Sequence, residues 1–171
     1  GWHNWWPRFY NKESVKWLAE DFNCNVVRAA MGVGPRGSYL DKKEWSKEKI
    51  EAVVEGAIEQ DIYVVIDWHS HQLHLNEAKL FFAEMATKYG KYPHVIYEIF
   101  NEPVRDSWEE IKSYSEEVIK TIREIDPDNI ILVRSPHWDQ DIHLVADDPI
   151  TGYDNIMYTV HFYAATHGKE L

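Results

Sequence analysis

Cysteine, glycine and basic side chains are all scarce in this sequence of 171 residues. Its single cysteine, Cys24, excludes an internal disulfide and excludes a structural zinc site of the Cys₄ or Cys₂His₂ type. No stretch of the chain approaches the roughly 20 consecutive apolar residues that a membrane-spanning helix needs. We therefore expect no membrane partner.

Basic residues are outnumbered by acidic ones, with 18 Lys and Arg against 29 Asp and Glu and a formal net charge of -11. They are scattered singly, whereas nucleic acid or an anionic membrane surface would require a clustered basic face. We therefore expect no nucleic-acid partner, and a neutral ligand is the simplest expectation. The eight Trp and ten Tyr are numerous by contrast, and aromatic faces stack on the apolar faces of sugar rings as well as filling cores.

No glycine-rich phosphate-binding turn follows the first predicted strand, which argues against a doubly wound nucleotide-binding sheet. Short apolar runs instead alternate with longer amphipathic stretches at a repeat of roughly 30 residues, the pattern of parallel βα units. The predicted strands cover 25–30, 62–68, 95–100, 129–133 and 156–161. The predicted helices cover 12–22, 47–60, 75–89, 107–125 and a short segment at 139–145.

Local signals predict several helix ends. Ser46 and Ser107 are predicted N-caps, and Glu110 completes a capping box with Ser107. Gly90 predicts the end of the third helix. A complete eight-unit barrel needs about 250 residues, so we predict an incomplete α/β barrel of the (β/α)₈ type, with about strands 2 to 6 and the end of strand 1. No linker interrupts the repeat, and residues 1–171 are predicted to form one partial catalytic domain.

Polar and aromatic residues follow nearly every predicted strand. In a barrel the carboxyl ends of the strands converge on one face, where active sites are built. We therefore expect a site made from these side chains. They are Arg28, His69, Asn101 with Glu102, Trp138, and His161 with Tyr163.

The stretch 96–103, with the sequence IYEIFNEP, is a buried strand that ends in an amide, a carboxylate and a proline. Breaking a glycosidic bond releases a poor alkoxide, so an acid must protonate the leaving oxygen. Glu102, after the last apolar residue, is the candidate acid, and Glu98 is predicted to be a structural acid paired elsewhere. Asn101 supplies a hydrogen-bond donor for the sugar 2-hydroxyl. The alternative is that Asn-Glu-Pro merely forms a turn that caps the strand.

Four motifs in register on successive strand ends resemble the family 5 glycoside hydrolases of the bacterial endoglucanase subgroup. They are VRAAM at 27–31, IDWH at 66–69, IYEIFNEP at 96–103 and HFYA at 161–164. The resemblance implies a retaining, endo-acting hydrolase of β-1,4-glucan, with cellulose or carboxymethylcellulose as the expected substrate. Relatives also cleave xyloglucan, mixed-linkage glucan and mannan, so the preferred polysaccharide stays open. Since such polymers are too large to import, we expect a secreted protein.

The resemblance also implies roles for individual residues. Glu102 is implied to be the general acid/base, with Asn101 beside it. Arg28 is implied to orient the nucleophile, and the alternative for this residue is a structural salt bridge under the barrel mouth. The remaining implied residues are His161 and Tyr163, which order the site, and His69, Trp5 and Trp138, which bind substrate. No cofactor and no metal are implied.

The family's nucleophile is a Glu at the end of the seventh strand, and residues 1–171 contain no matching segment. We therefore predict that the nucleophile lies beyond residue 171 and that this chain alone hydrolyses little or nothing. The expected partners are a β-glucan polysaccharide or oligosaccharide and a second chain or further segment carrying the remaining βα units.

Two other interpretations stay open. The run from His69 to His74 contains three histidines near a strand end, which would suit a metal-dependent hydrolase, since zinc accepts imidazole ligands. The chain would otherwise be a non-catalytic glucan-binding fragment or one half of a split enzyme. Oligosaccharide affinity without turnover would favour binding alone, and activity on mixing with a second chain would favour the split enzyme.

Overall fold

The computed structural model describes residues 7–165, 167 and 168. Within them one parallel sheet contains five strands in chain order, which are β1 (Val26–Gly32), β2 (Tyr63–His69), β3 (Val95–Glu98), β4 (Ile131–Val133) and β5 (Ile156–Tyr158). The helical segments begin with a 3₁₀ turn at Pro7–Phe9. The others are α1 (Lys12–Glu20), α2 (Lys43–Glu59), α3 (Leu75–Tyr89), α4 (Trp108–Arg123), α5 (Pro136–Asp139) and α6 (Ile142–Asp147). Among the helices described, none has the length and apolar character to cross a membrane.

The strand order β1-β2-β3-β4-β5 never reverses along the described sheet. A doubly wound sheet contains a point where the strand order reverses, so that alternative is excluded for these strands. Parallel strands joined by right-handed crossovers place all the connecting helices on the same face of the sheet. This arrangement confirms the prediction of an incomplete (β/α)₈ barrel.

The two faces of the sheet differ in burial. On the outer face of β1, Val27, Ala29 and Met31 are buried in one apolar cluster with residues of α2 and α3. The alternate positions Val26 and Arg28 point to the opposite, inner face and are exposed. Because side chains alternate along a strand, the inner face carries the polar groups that form the site described below.

Register places two acidic residues side by side on this inner face. Asp67 of β2 pairs with Glu98 of β3, and Glu98 pairs with Leu132 of β4. Both carboxylates are buried, and the strands that contain them consist mainly of apolar residues. Arg28 lies in register with Val65, two residues before Asp67, and its long side chain extends towards the carboxyl ends of the strands.

Of the two N-caps predicted from the sequence, one is present in the structure and the other is not. Ser107 accepts a hydrogen bond from the backbone N–H of Glu110, and the Glu110 side chain accepts one from Ser107, which confirms the capping box. The N-cap prediction for Ser46 is wrong, because α2 begins at Lys43 and Ser46 lies buried inside it. The backbone N–H of Lys42 donates to Ser38 (2.8 Å), and this turn starts the helix earlier.

Three strands are shorter than predicted, and the predicted helix at 139–145 is replaced by α5 and α6. Beyond β3 the backbone carbonyls bond to side chains, since Tyr114 donates to the Ile99 carbonyl (2.8 Å) and Arg134 donates to the Phe100 carbonyl (2.7 Å). Strand β3 therefore ends at Glu98, and beyond it Ile99 keeps one backbone hydrogen bond to the Leu132 carbonyl of β4 (3.3 Å).

Candidate active site

An open cavity of about 480 Å³ lies at the carboxyl ends of the strands. It brings together six of the residues that the sequence predicted for the site, which are Arg28, His69, Asn101, Glu102, His161 and Tyr163. A neighbouring cavity of about 350 Å³ shares Glu102, His161 and Tyr163 and adds Trp138 with Gln140 and His167. Trp5, the other predicted substrate-binding residue, lies outside the described residues.

Glu102 occupies the centre of the site, on the loop that follows β3. Its backbone N–H donates to the Ser70 carbonyl (3.3 Å), and its backbone carbonyl lies 3.1 Å from Nδ1 of His71. These contacts join the loops after β2 and β3. The carboxyl group is partly exposed, and its Oε1 lies 2.8 Å from Nδ1 of His161. Glu102 can therefore exchange a proton with a ligand in the cavity while one of its oxygens is held.

The tautomer of His161 follows from its two neighbours. Nε2 of His161 lies 3.0 Å from Nη1 of Arg134. A guanidinium group can only donate hydrogen bonds, so Nε2 is the acceptor and the ring proton is on Nδ1, facing Glu102. Burial lowers the pKa of His161, and the charge of Arg134 lowers it further, against the raising effect of the hydrogen bond with Glu102. His161 is thus a neutral donor to the carboxyl group.

Arg28 connects three other polar groups. Its Nε and Nη2 atoms donate to the two oxygens of Glu98 (2.7 and 2.9 Å), and Nη2 also lies 2.8 Å from Oδ2 of Asp67. Nη2 donates to Oδ1 of Asn101 as well (2.8 Å). Since the Asn101 oxygen is held by Arg28, its amide N–H₂ remains the donor for a ligand. Arg28 thus forms salt bridges at the base of the site, and its guanidinium group also lines the cavity.

Glu98 is confirmed as a structural acid, since it is buried and paired with both Arg28 and Arg134. Arg134 directly follows β4 and is 1% exposed. Burial lowers the pKa of Arg134 to about 10. The sequence analysis did not identify Arg134. The signal that identified Glu102 is a charged residue after a buried strand, and the same signal applies to Arg134.

His69 is oriented by a buried carboxylate. Its Nδ1 lies 2.7 Å from Oδ2 of Asp67, which is fully buried. A proton on Nδ1 donates to this carboxylate, which leaves Nε2 as the acceptor available in the cavity. His71 contacts the Glu102 carbonyl instead, and no group of three or more His, Cys, Asp or Glu among the described residues is arranged to hold a metal ion.

Trp138 and Tyr163 lie at the rim of the site. The Trp138 side chain is 48% exposed, and its backbone N–H donates to the Pro103 carbonyl (2.8 Å), which ties its loop to that of Glu102. Tyr163 is exposed, and its backbone N–H donates to Nδ1 of His167 (2.8 Å). Both rings are accessible to a ligand.

Asp139 is a second residue whose contacts the sequence did not predict. It is fully buried, and its Oδ2 lies 3.3 Å from Nδ1 of His161 and 3.3 Å from Nη1 of Arg134. Burial raises the pKa of Asp139 to about 7, and the charge of Arg134 opposes this shift. The loop position gave no sequence signal, because burial of Asp139 depends on the backbone conformation of the preceding residues.

Known proteins are similar to this chain in sequence and in structure. A family model described as cellulase (glycosyl hydrolase family 5) matches residues 1–170. Endoglucanase Z of Dickeya dadantii is 49% identical over 174 residues, which are 99% of this chain and 41% of that protein. A structure from Cytophaga hutchinsonii has a TM-score of 0.95 and 47% identity, covering 99% of this chain and 56% of that chain.

A further solved structure contains a ligand. The catalytic domain of Thermobifida fusca endoglucanase Cel5A (E5) in complex with cellotetraose has a TM-score of 0.85 and 36% identity. The match covers 90% of this chain and 54% of that chain. The chain thus spans less than half of the length of the curated relative named above and about half of each of these two structures.

Proposed function

Because the chain belongs to glycosyl hydrolase family 5, we propose that it supplies the acid/base half of a retaining hydrolase that cleaves internal β-1,4 bonds of a glucan such as cellulose. The observation that carries the proposal is the pairing of a partly exposed carboxyl group with a fixed imidazole donor. Oε1 of Glu102 lies 2.8 Å from Nδ1 of His161 at the carboxyl end of a parallel strand. Asn101 beside it presents an amide N–H₂ to the same cavity.

In the first step, Glu102 in its acid form donates a proton to the glycosidic oxygen. The bond from that oxygen to the anomeric carbon breaks as the nucleophile carboxylate forms a bond to the same carbon. Oε1 accepts the hydrogen bond from His161, so the transferable proton is on Oε2. In the second step, the Glu102 carboxylate removes a proton from a water molecule, whose oxygen bonds to the anomeric carbon as the bond to the nucleophile breaks. The Asn101 amide donates to the 2-hydroxyl of the sugar in both steps.

The nucleophile of this mechanism is a carboxylate about 5 to 5.5 Å from Glu102. The buried acids of the described inner face do not suit this role, because a nucleophile must reach the anomeric carbon. Asp67, Glu98 and Asp139 are each buried and paired with arginine. We propose that the nucleophile is a Glu supplied from outside residues 1–171, with Arg28 beside it to stabilise its charge.

Substrate binding is assigned to the accessible rings and donors around Glu102. We propose that Trp138 stacks on one sugar ring, that His69 accepts a hydrogen bond from a sugar hydroxyl, and that Tyr163 orders the nucleophile. Trp5 is proposed as a second stacking residue on its sequence resemblance. The cellotetraose bound to the Thermobifida fusca enzyme supports a β-glucan ligand. Secretion is proposed from the size of the substrate.

The test uses a completed enzyme, defined as Endoglucanase Z in which residues 1–171 replace the matched segment, so that the units on both sides of this chain are supplied. We expect it to hydrolyse carboxymethylcellulose, and the product of cellotetraose cleavage to retain its anomeric configuration by NMR. Glu102→Gln should lower kcat by about 10²–10⁴-fold, because the amide cannot donate or remove the proton. Glu124→Gln, an exposed change at the far end of α4, is the matched control. Equal kcat values for the wild type and Glu102→Gln would refute the assignment.

A further inference from the structure

Asp139 is placed by an unusual backbone conformation. The three successive residues His137, Trp138 and Asp139 have φ values of 52°, 55° and 64°, although none is glycine. Non-glycine residues are strained in this left-handed region, and such strain persists only where the surrounding structure maintains it. The turn directs Trp138 outwards and Asp139 inwards, so that an acidic side chain is fully buried behind the active site.

Asp139 contacts His161 in two ways. The backbone carbonyl of Asp139 accepts a hydrogen bond from the backbone N–H of His161 (3.2 Å). Its side-chain Oδ2 lies 3.3 Å from Nδ1 of the same histidine, and Oδ1 accepts from the backbone N–H of Ser135 (3.2 Å). Oδ2 has no hydrogen bond among the described residues. The backbone of His161 is therefore fixed by Asp139, and a buried carboxylate oxygen lies beside its ring.

Arg134 completes this arrangement at the second ring nitrogen. Its Nη1 lies 3.0 Å from Nε2 of His161 and 3.3 Å from Oδ2 of Asp139. The guanidinium group is held by the Phe100 carbonyl, Thr159 and Glu98, so its position is independent of any ligand. Arg134 offers a donor to Nε2, and Asp139 offers an acceptor near Nδ1.

We propose that Asp139 and Arg134 are a buried pair of positioning residues that holds His161 in its Nδ1–H tautomer. Through His161, the pair determines which oxygen of Glu102 carries the proton and how firmly the carboxyl group of Glu102 is held. This inference rests on the proposed role of Glu102. It assigns a function to two residues that do not touch the substrate themselves. The strained turn at 137–139 is then explained as the feature that brings the carboxylate of Asp139 to His161.

Charged groups surround the pair on all sides. Asp139 faces Arg134, His161 and Glu102, with Arg28 further away, and the same charged groups face His161. Neither Asp139 nor Arg134 lines the cavity. A change at position 139 should therefore loosen the imidazole that holds Oε1 of Glu102 without removing a contact to the substrate.

The experiment compares the completed enzyme with its Asp139→Asn variant. Asparagine tolerates a positive φ and can still accept from Ser135, so the turn is preserved. We expect kcat to fall by about 10-fold while KM stays unchanged, because Glu102 is held less well and no contact to the substrate is lost. Asp141→Asn, two residues away and paired with His137, is the matched control and should leave kcat and KM unchanged. An unchanged kcat for Asp139→Asn, or a loss that appears only in KM, overturns the proposal.

A second measurement requires neither activity nor a variant. The ring ¹⁵N chemical shifts of His161 in the wild-type completed enzyme should report the neutral Nδ1–H tautomer between about pH 5 and 8, the range in which an unperturbed histidine would titrate. An Nε2–H tautomer, or a charged ring across this range, overturns the proposal. Full activity of Glu102→Gln would instead refute the proposed function. The tautomer of His161 would then be the measurement that tests the role of Asp139 and Arg134.

Discussion

A buried carboxylate is costly unless a cation and hydrogen bonds compensate for its lost hydration. The floor of the site holds two such groups in adjacent register positions, Asp67 and Glu98. Arg28 binds both and also fixes the Asn101 amide, while Arg134 contacts Glu98 from the opposite side. The stability of the inner face and the orientation of the Asn101 amide therefore depend on the same guanidinium group.

Arg28→Lys tests this dual role in the completed enzyme. Lysine keeps the charge but cannot form the forked contact with Glu98 and bind Asn101 as well. We expect the free energy of unfolding to fall by about 1–2 kcal/mol, as for loss of a partly exposed charged hydrogen bond, and kcat/KM to fall with it. Urea denaturation and steady-state kinetics measure the two effects. Arg36→Lys, at an exposed position, is the control, and equal losses in both variants would contradict the dual role.

At the scale of elements, α4 positions the loop that carries Glu102. Its buried face includes Ile111, Tyr114 and Val118, and the Tyr114 hydroxyl donates to the Ile99 carbonyl just beyond β3. The helix begins at a capping box, which satisfies two backbone N–H groups that would otherwise lack a partner. A local sequence signal thus determines where an element of the active-site scaffold starts.

Ser107→Ala should lower the free energy of unfolding by about 1 kcal/mol, because the N-cap hydroxyl that accepts from Glu110 is lost. Ser113→Ala, at an exposed position in the middle of the same helix, should leave stability unchanged or raise it slightly, since alanine favours helix interiors. Urea denaturation of the completed enzyme measures both variants. Equal destabilisation by the two changes would mean that the cap does not stabilise α4.

Ser46 shows where the same rule fails. Ser46 and Ser107 both precede an amphipathic run. Only Ser107 lies directly before the first residue of a helix, where its hydroxyl accepts from the backbone N–H of Glu110. The segment before α2 is bonded back to the end of β1, with Tyr39 and Leu40 donating to the carbonyls of Gly32 and Val33. Helix α2 consequently starts at Lys43 and encloses Ser46. Tertiary contacts override a cap signal that is read locally.

At the scale of the whole molecule, the inner face of the sheet is open among the described residues. Val26, Tyr63 and Met157 lie on it and are 47%, 53% and 53% exposed. In a complete barrel, the interior is filled by layers of side chains from all the strands. Further βα units would therefore cover apolar surface here.

We expect residues 1–171 alone to show no measurable turnover of carboxymethylcellulose, because the accessible acid Glu102 has no accessible carboxylate partner in the described site. Mixing this chain with a separate polypeptide carrying the remaining βα units of Endoglucanase Z should restore activity. Reducing-sugar release measures both. The same mixture prepared with Glu102→Gln is the control and should stay inactive. Appreciable hydrolysis by the 171-residue chain alone would contradict this prediction.

The sequence by itself determined the features that depend on near neighbours along the chain. These are the alternation of strands and helices, the capping box of α4, and the polar residues that follow β3 and β5, including Glu102 and His161. Hydrophobic periodicity and cap chemistry act over a few residues, so they can be recognised without knowing the fold.

Only the tertiary structure decided how the site is held together. Arg28 and Glu98 are 70 positions apart, His161 and Glu102 are 59 apart, and Arg134 and His161 are 27 apart. Such pairs depend on strand register and on which face each side chain takes, and a periodic pattern does not specify them. The burial of Asp139 depends further on three left-handed residues that contain no glycine, a conformation that the surrounding contacts impose.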